Sequence, residues 1–382
     1  MSHVLVAARD HAAALAASLE AAPRLALDCE AAGFHRYSDR LCLVQLTVGG
    51  QTYVVDPLAF DPSGLLRGPL ERPDVAVLMH GSDFDLRLLR RDLGIRVAGL
   101  FDTQIAASLL GEEALGLAAL LESRLGVRLS KKHQRADWAE RPLNDEMLEY
   151  AADDTRYLPQ LADRLADEVA RAGRTAWVEE ECRALEAAAD APDEPAEPED
   201  PVVRVKGARR LSPRQVTALR AALDWRDEVA RARDRALFRV VGDAPLVEAV
   251  ATRPGSVEDL ERVKGFPRGL ARSEGRDLLK RLDAVAEMDD SALRPYPSAA
   301  NRGPGRPPPE LEELVDALKV ARNGRAEALG LPRGTLLANG VLLDIARARP
   351  RDREELEAVE GMRRWRTEVV GDDLLAVLRR AK

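Results

Sequence analysis

A chain of 382 residues exceeds one ordinary domain, so two or three are expected. Its 46% hydrophobic and 32% charged residues suit a soluble globular protein, and no apolar run approaches bilayer length, which excludes a helical membrane protein; the N-terminal stretch carries acids and lacks a secretory cleavage pattern. Three cysteines (Cys29, Cys42, Cys182) match neither a zinc finger nor a disulfide framework, so a reduced, cytoplasmic setting away from membranes is expected.

The first part of the chain reads as strands followed by helices. Short Val- and Leu-rich runs bounded by turn residues, "RLALDCE", "LCLVQLTVG", "TYVVDP" and "VAVLMHGS", predict four strands. "GGQ" at 49–51 predicts a hairpin between the second and third. After Ser82 the apolar period turns helical in "DFDLRLLRRDLG", "DTQIAASLLG" and "LGLAALLESRLG". One long helix is expected over "LNDEMLEYAADDTRYLPQLADRLADEVARAG", with Asn144 or Asp145 as N-cap. Strands first and helices after predict a mixed sheet covered by helices over residues 1–178.

Residues 179–202 carry ten acids against one arginine, a net of −9, and with their prolines predict an acidic linker. Val203–Val240 reverses the sign, with eleven Lys/Arg against four acids, so the overall charge of −8 is compatible with a polyanionic partner. Arg209, Arg210 and Arg214 head this segment as candidate phosphate contacts, which would track a backbone without reading sequence; a solvated charged face is the competing account. Trp225 and Phe238 sit at helical positions and are expected in a core.

The C-terminal half contains a duplication. "PGSVEDLERVKGF" from Pro254 aligns without gaps with "PRDREELEAVEGM" from Pro350, an offset of 96 residues that also pairs Leu246 with Leu342 and Leu278 with Leu374. Shared apolar positions at three- and four-residue spacing predict two small helical bundles, over 203–290 and 310–382, joined by a Pro/Gly-rich linker at 291–309.

The chemistry is carried by acids. On a strand, residues i and i+2 share a face, so Asp28 and Glu30 of "LALDCEAAGF" point one way and Cys29 the other. Two like charges about 5–7 Å apart raise each other's pKa unless a cation neutralises them, and a hard divalent ion is the natural partner. An exposed strand end is the commoner origin of a lone D-x-E, but further acids follow. Asp83 and Asp85 open the helix after the fourth strand, Asp83 being suited to cap it. Tyr150 and Asp154, four apart, share a helix face that Leu158, Leu161 and Leu165 continue; Asp153 is the competing acid. Asp102 is expected to cap its helix rather than bind metal. Four carboxylates and a tyrosine can hold two metals, activate a water and stabilise the leaving oxygen of a phosphodiester.

The set Asp28-x-Glu30, Asp85 and Tyr150-x-x-x-Asp154 resembles the tyrosine subtype of the DEDD exonucleases. "LCLVQL" and "QRADWAERPLNDEMLEYAADDTRYL" resemble the ribonuclease D family in particular, and the duplicated unit resembles the HRDC domain. The resemblance implies an α/β ribonuclease-H-like exonuclease domain followed by two all-α HRDC-like bundles. It implies a 3′→5′ exoribonuclease that releases nucleoside 5′-monophosphates with two divalent ions, Mg²⁺ or Mn²⁺. Asp28 would bridge both ions, Glu30 and Asp154 complete one site, Asp85 serve the other partly through water, and Tyr150 position the nucleophile. Gln45, His80 and Asp102 match neighbours of the site, and Gln45, His80 and Phe34 are candidate nucleic-acid contacts. Many relatives follow the Glu with a large apolar residue that stacks on the terminal base; here Ala31, Ala32 and Gly33 stand, and Phe34 can take that role from a different backbone position. The implied partner is RNA, as tRNA precursors or other structured RNA with a single-stranded 3′ end, and a monomer is expected. A DNA exonuclease and an RNA-binding protein on a silent nuclease fold are the alternatives.

Overall fold

The structure, a computed structural model, describes residues 3–130, 132–191, 200–297 and 308–381. Six strands, β1 (His3–Val6), β2 (Arg24–Ala31), β3 (Leu41–Val48), β4 (Gln51–Val55), β5 (Ala76–Met79) and β6 (Leu100–Asp102), form one sheet in the order β1-β4-β3-β2-β5-β6. The expected hairpin is present: Gly49 and Gly50 take φ of 57° and 83°, and β3 pairs antiparallel with β4. β1 with β4, β2 with β5, and β5 with β6 pair in parallel, so the sheet is mixed. All eight residues of β3 are buried, which is why it reads as a continuous run instead of an alternation. β1 and β6 add to the four strands expected; with four and three residues they are too short to show a period.

Eight helices accompany the sheet: α1 (Ala13–Glu20), α2 (Ser63–Leu70), α3 (Asp83–Leu88), α4 (Thr103–Leu109), α5 (Leu117–Leu125), α6 (Asp145–Arg156), α7 (Leu158–Arg171) and α8 (Thr175–Asp190). The single long helix expected after Asn144 is two. Asn144 caps α6, accepting from the Met147 N–H at 2.9 Å, but the helix ends at Arg156. Pro159 lies in the first turn of α7, where its missing N–H costs nothing but cannot continue the ladder of α6. Leu158, Leu161 and Leu165 are therefore core residues of α7 and do not prolong the stripe of Tyr150 and Asp154.

The acidic linker expected from residue 179 is helical through Asp190. Val178, Cys182 and Ala189 of α8 are buried, so the acids occupy the other faces of a packed helix. Residues 192–199 and 298–307, the Pro-rich parts of the two expected linkers, lie outside the described residues.

The duplication is visible helix by helix. The first copy has α9 (Pro213–Ala232), α10 (Leu237–Val240), α11 (Asp243–Thr252), α12 (Val257–Arg262) and α13 (Arg268–Ala286). The second has α14 (Pro309–Leu329), α15 (Arg333–Leu336), α16 (Asn339–Ala348), α17 (Arg353–Glu357) and α18 (Arg364–Arg380), each starting 96 residues after its counterpart. An internal arginine repeats as well. Arg226 donates to the Val241 carbonyl and to Asp243 (2.6 Å), as Arg322 does to the Leu337 carbonyl and to Asn339 (3.0 Å). Gly265 and Gly361, with φ of 79° and 82°, make the same turn before the last helix.

The described chain forms two compact units, one of residues 3–30, 41–191 and 308–381, the other of residues 31–40 and 200–297. Within the first unit the second helical copy is joined to α8. Trp365 stacks on Trp177 with centroids 4.6 Å apart, and Glu180 accepts from the backbone N–H groups of Arg364 (2.6 Å) and Trp365 (3.0 Å). Glu181 accepts from the Trp365 indole (2.7 Å) and pairs with Arg366 (2.5 Å). The basic run 363–366 thus meets the acids of the presumed linker.

Candidate active site

β2 lies in the middle of the sheet, between β3 and β5, and its last residues carry Asp28 and Glu30. The parallel register sets Ala26 beside Leu78, so the end of β5 runs alongside Asp28, and the turn His80–Ser82 delivers α3 there. Asp85, in the first turn of α3, is buried. On β3, Thr47 bonds Thr155 of α6 across 2.9 Å, which fixes that helix on the sheet. One carboxylate oxygen each from Asp28, Glu30 and Asp154 can lie within 4.8 Å of one another. Asp153 is excluded from this group by its side of the helix: it pairs with Arg156 at 2.5 Å, and Arg156 also holds Glu149.

The turn that delivers Asp85 is held by a buried acid. Asp102, at the N-cap of α4, accepts from the N–H groups of Gly81 (3.1 Å), Ser82 (2.8 Å), Gln104 (2.8 Å) and Ile105 (3.2 Å), and from the Ser82 hydroxyl (2.8 Å). The capping role expected for Asp102 is present, and it extends to the turn before α3. Ser82 occupies the cap position of α3; Asp83, one residue on, is exposed and pairs with Arg87.

Tyr150 is wedged by the segment that precedes α6. The rings of Trp138 and His133 lie 5.9 and 6.1 Å from the Tyr150 ring, and Trp138 is buried. Arg141 ties this segment down through a bidentate pair with buried Asp56 (2.7 and 2.8 Å) and bonds to the carbonyls of Trp138 (2.7 Å) and Cys42 (3.1 Å). These contacts account for Trp138 and Arg141 of the "QRADWAERP" stretch. Nothing in its local pattern separates Trp138 from an ordinary core residue.

Burial and mutual repulsion dominate the electrostatics. Burial lifts Asp28 to about 7 and Asp154 to about 8, Asp28 adding to the latter. Glu30 is pushed well above its ordinary value by burial, then by Asp28, Asp154 and Asp85; Asp85 rises through burial, then Asp28, Asp102 and Asp83. Burial and the same acids raise the Tyr150 phenol, so it stays protonated. Buried carboxylates that repel one another form a hard, all-oxygen donor set, which fits a divalent cation such as Mg²⁺ or Mn²⁺. Such an ion lowers these pKa values by favouring the charged forms.

Comparison with known proteins shows the family. Residues 4–170 match the 3′-5′ exonuclease family model, and residues 215–282 and 312–378 each match the HRDC domain. A ribonuclease D of Gluconacetobacter diazotrophicus is 32% identical over 381 residues, 98% of this chain and 92% of the relative. The chain belongs to the ribonuclease D family. The crystal structure of Escherichia coli RNase D, described as an exoribonuclease involved in structured RNA processing, matches with a TM-score of 0.68 at 26% identity, covering 100% of this chain and 99% of that one. The catalytic core of RRP6 from Trypanosoma brucei matches with a TM-score of 0.67 at 28% identity, over 76% and 81% of the two chains. The chain is accordingly a 3′-5′ exoribonuclease with an α/β nuclease domain and two HRDC domains.

The candidate RNA contacts divide by exposure. Gln45 is fully buried and shares the sheet face of Thr47, beneath α6, with neither amide atom paired; it is a core residue, not a surface contact. His80 is partly buried and bonded through Nδ1 to Thr103 (2.9 Å), whose hydroxyl donates to the Met79 carbonyl, so it braces the end of β5. Burial also lowers its pKa and keeps it neutral. Arg214 is spent on the end of α13, donating to the carbonyls of Val285 (2.7 Å) and Ala286 (2.9 Å) and pairing with Asp290 (2.7 Å). Arg209 and Arg210 are exposed in a short 3-10 turn and hold no ion pair among the described residues. Trp225 is in the core as expected, but Phe238 is 55% exposed, and Phe34 is 40% exposed.

Proposed function

We propose that the enzyme removes nucleotides one at a time from RNA 3′ ends by two-metal hydrolysis, acting as a cytoplasmic monomer on tRNA precursors or other structured RNA with a single-stranded 3′ end. The observation that carries the reading is the convergence of Asp28, Glu30 and Asp154 to within 4.8 Å. Asp28, Glu30, Asp85 and Asp154 would hold two divalent cations, Mg²⁺ or Mn²⁺: Asp28 would serve both, Glu30 and Asp154 would complete one site and Asp85 would serve the other. When bound, the cations supply Lewis acidity toward the attacking water and the departing oxygen. Tyr150, protonated and clamped by Trp138 and His133, orients the water through its hydroxyl. Attack of the water oxygen on phosphorus with departure of O3′ leaves a nucleoside 5′-monophosphate and an RNA one residue shorter. Asp102 acts at one remove, by holding the turn from which Asp85 projects. The absence of disulfides among the described residues supports the cytoplasmic setting.

The test uses 5′-labelled RNA with Mg²⁺, comparing the wild type with Asp28→Ala. Stepwise shortening is expected from the wild type, and none from the variant or in EDTA; activity that survives both would remove the two-metal reading. Matched RNA and DNA oligonucleotides in the same assay test the sugar preference, with RNA degraded faster.

A further inference from the structure

The loop that follows the catalytic carboxylates is built into the first HRDC unit. His35 accepts from the Ala236 N–H (3.0 Å), and the Tyr37 N–H donates to Asp234 (3.3 Å). The Tyr37 hydroxyl donates to Asp227 (2.9 Å) and accepts from Arg231 (3.0 Å), whose guanidinium also covers the Tyr37 ring. Gly33 lets the loop close on itself, since a Cβ there would come within 2.6 Å of the Asp39 Cβ. These bonds bring Phe34 to Phe238, with centroids 5.5 Å apart and planes inclined at 56°. Arg239 joins the two rings: its guanidinium lies 4.9 Å from the Phe34 centroid and 5.9 Å from that of Phe238, while its Nε donates to the Phe34 carbonyl at 2.8 Å.

Phe34 and Phe238, 40% and 55% exposed as residues, leave apolar surface facing water beside Leu237 at 39%, although the same bundle buries Trp225 and Phe266. A flat π surface covers such rings and stacks equally on a guanidinium plane, and a phosphodiester strand brings that surface together with negative charge. Arg235, exposed and without an ion pair among the described residues, adjoins the rings in sequence as a phosphate partner. We propose that Phe34, Phe238 and Arg239 form a base-stacking platform for single-stranded RNA, shared between the loop after β2 and the first HRDC bundle. This deepens the proposed function and rests on it: Phe34 follows Glu30 by four residues, so a substrate strand reaching the carboxylates is the occupant the chain itself supplies.

The test is binding of a short single-stranded oligoadenylate RNA to the full-length chain in EDTA, where no turnover is expected. Phe238→Ala should bind about 5- to 100-fold more weakly, and Phe238→Tyr, which keeps the ring, as tightly as wild type. A base-free ribose-phosphate strand of the same length should bind wild type and Phe238→Ala alike. Equal RNA binding by wild type and Phe238→Ala overturns the platform and leaves the rings to a protein partner. A loss in Phe238→Tyr equal to that in Phe238→Ala, or an equal loss on the base-free strand, also overturns it. Because binding is read without turnover, failure here is distinct from failure of the two-metal reading, which Asp28→Ala reports by hydrolysis.

Discussion

The Asp102 carboxylate takes both the backbone N–H and the hydroxyl of Ser82, each at 2.8 Å, and so ties the cap of α4 to the turn that launches Asp85. Removing a buried acceptor that satisfies several donors costs about 1–3 kcal/mol, because the donors are left without water. Asp102→Ala is expected to lower the melting temperature by several degrees and to cut kcat more than it raises KM. Asp83→Ala, which loses an exposed pair with Arg87 and the weakest of the charges that raise Asp85, is expected to change stability by less than about 1 kcal/mol. Thermal melts of the two variants, followed by circular dichroism, check the contrast.

The acidic site makes stability depend on pH and on metal. Asp28 and Asp154 titrate at about 7 and about 8 in the folded protein, against an ordinary value of about 3.9. A raised carboxyl pKa means that the fold prefers the protonated form; its contribution is full below about pH 4 and is lost as pH rises through the folded values. In EDTA the melting temperature should therefore fall from about pH 5 to about pH 8, as far as these groups govern it. Mg²⁺ or Mn²⁺ should reverse the fall, and Asp154→Asn should flatten it. A metal-free melting temperature equally steep in wild type and Asp154→Asn would contradict the assignment of the slope to this site.

Tyr150→Phe keeps the ring against Trp138 and His133 and removes only the hydroxyl. Loss of a positioned proton-bearing group typically costs about 10²-fold or more in rate. A kcat lowered by about 10²-fold, with RNA affinity in EDTA unchanged, is expected from single-turnover kinetics and binding titration. Near-wild-type kcat would relieve Tyr150 of its role.

Trp365 is almost fully buried, stacked on Trp177 and bonded to Glu181 through its indole. Truncating such a side chain typically costs about 3–5 kcal/mol. Trp365→Ala is expected to destabilise the second HRDC bundle by that order in urea unfolding. Phe238→Ala, at an exposed ring, should change stability by less than about 1 kcal/mol.

Period and spacing made the same-face placement of the acids readable in the chain alone, and the family resemblance supplied the chemistry expected of them. Asp28 and Glu30 share a face because strand side chains alternate, and Tyr150 and Asp154 share one because a helix repeats near four, whatever surrounds them. The duplication was equally legible, since two copies of one helical pattern need no partner to be compared. Tertiary structure decided what each residue meets. It gave Asp153 to Arg156 and Asp154 to the site, buried Gln45 beneath α6, spent Arg214 on the end of α13 and turned Glu180 and Glu181 toward Trp365 and Arg366. It also brought Phe34 to Phe238, 204 residues away in the chain, and left both rings facing water. Local pattern sets which side of its own element a residue occupies; solvent exposure and partners come from segments far along the chain, and only the packed fold contains them.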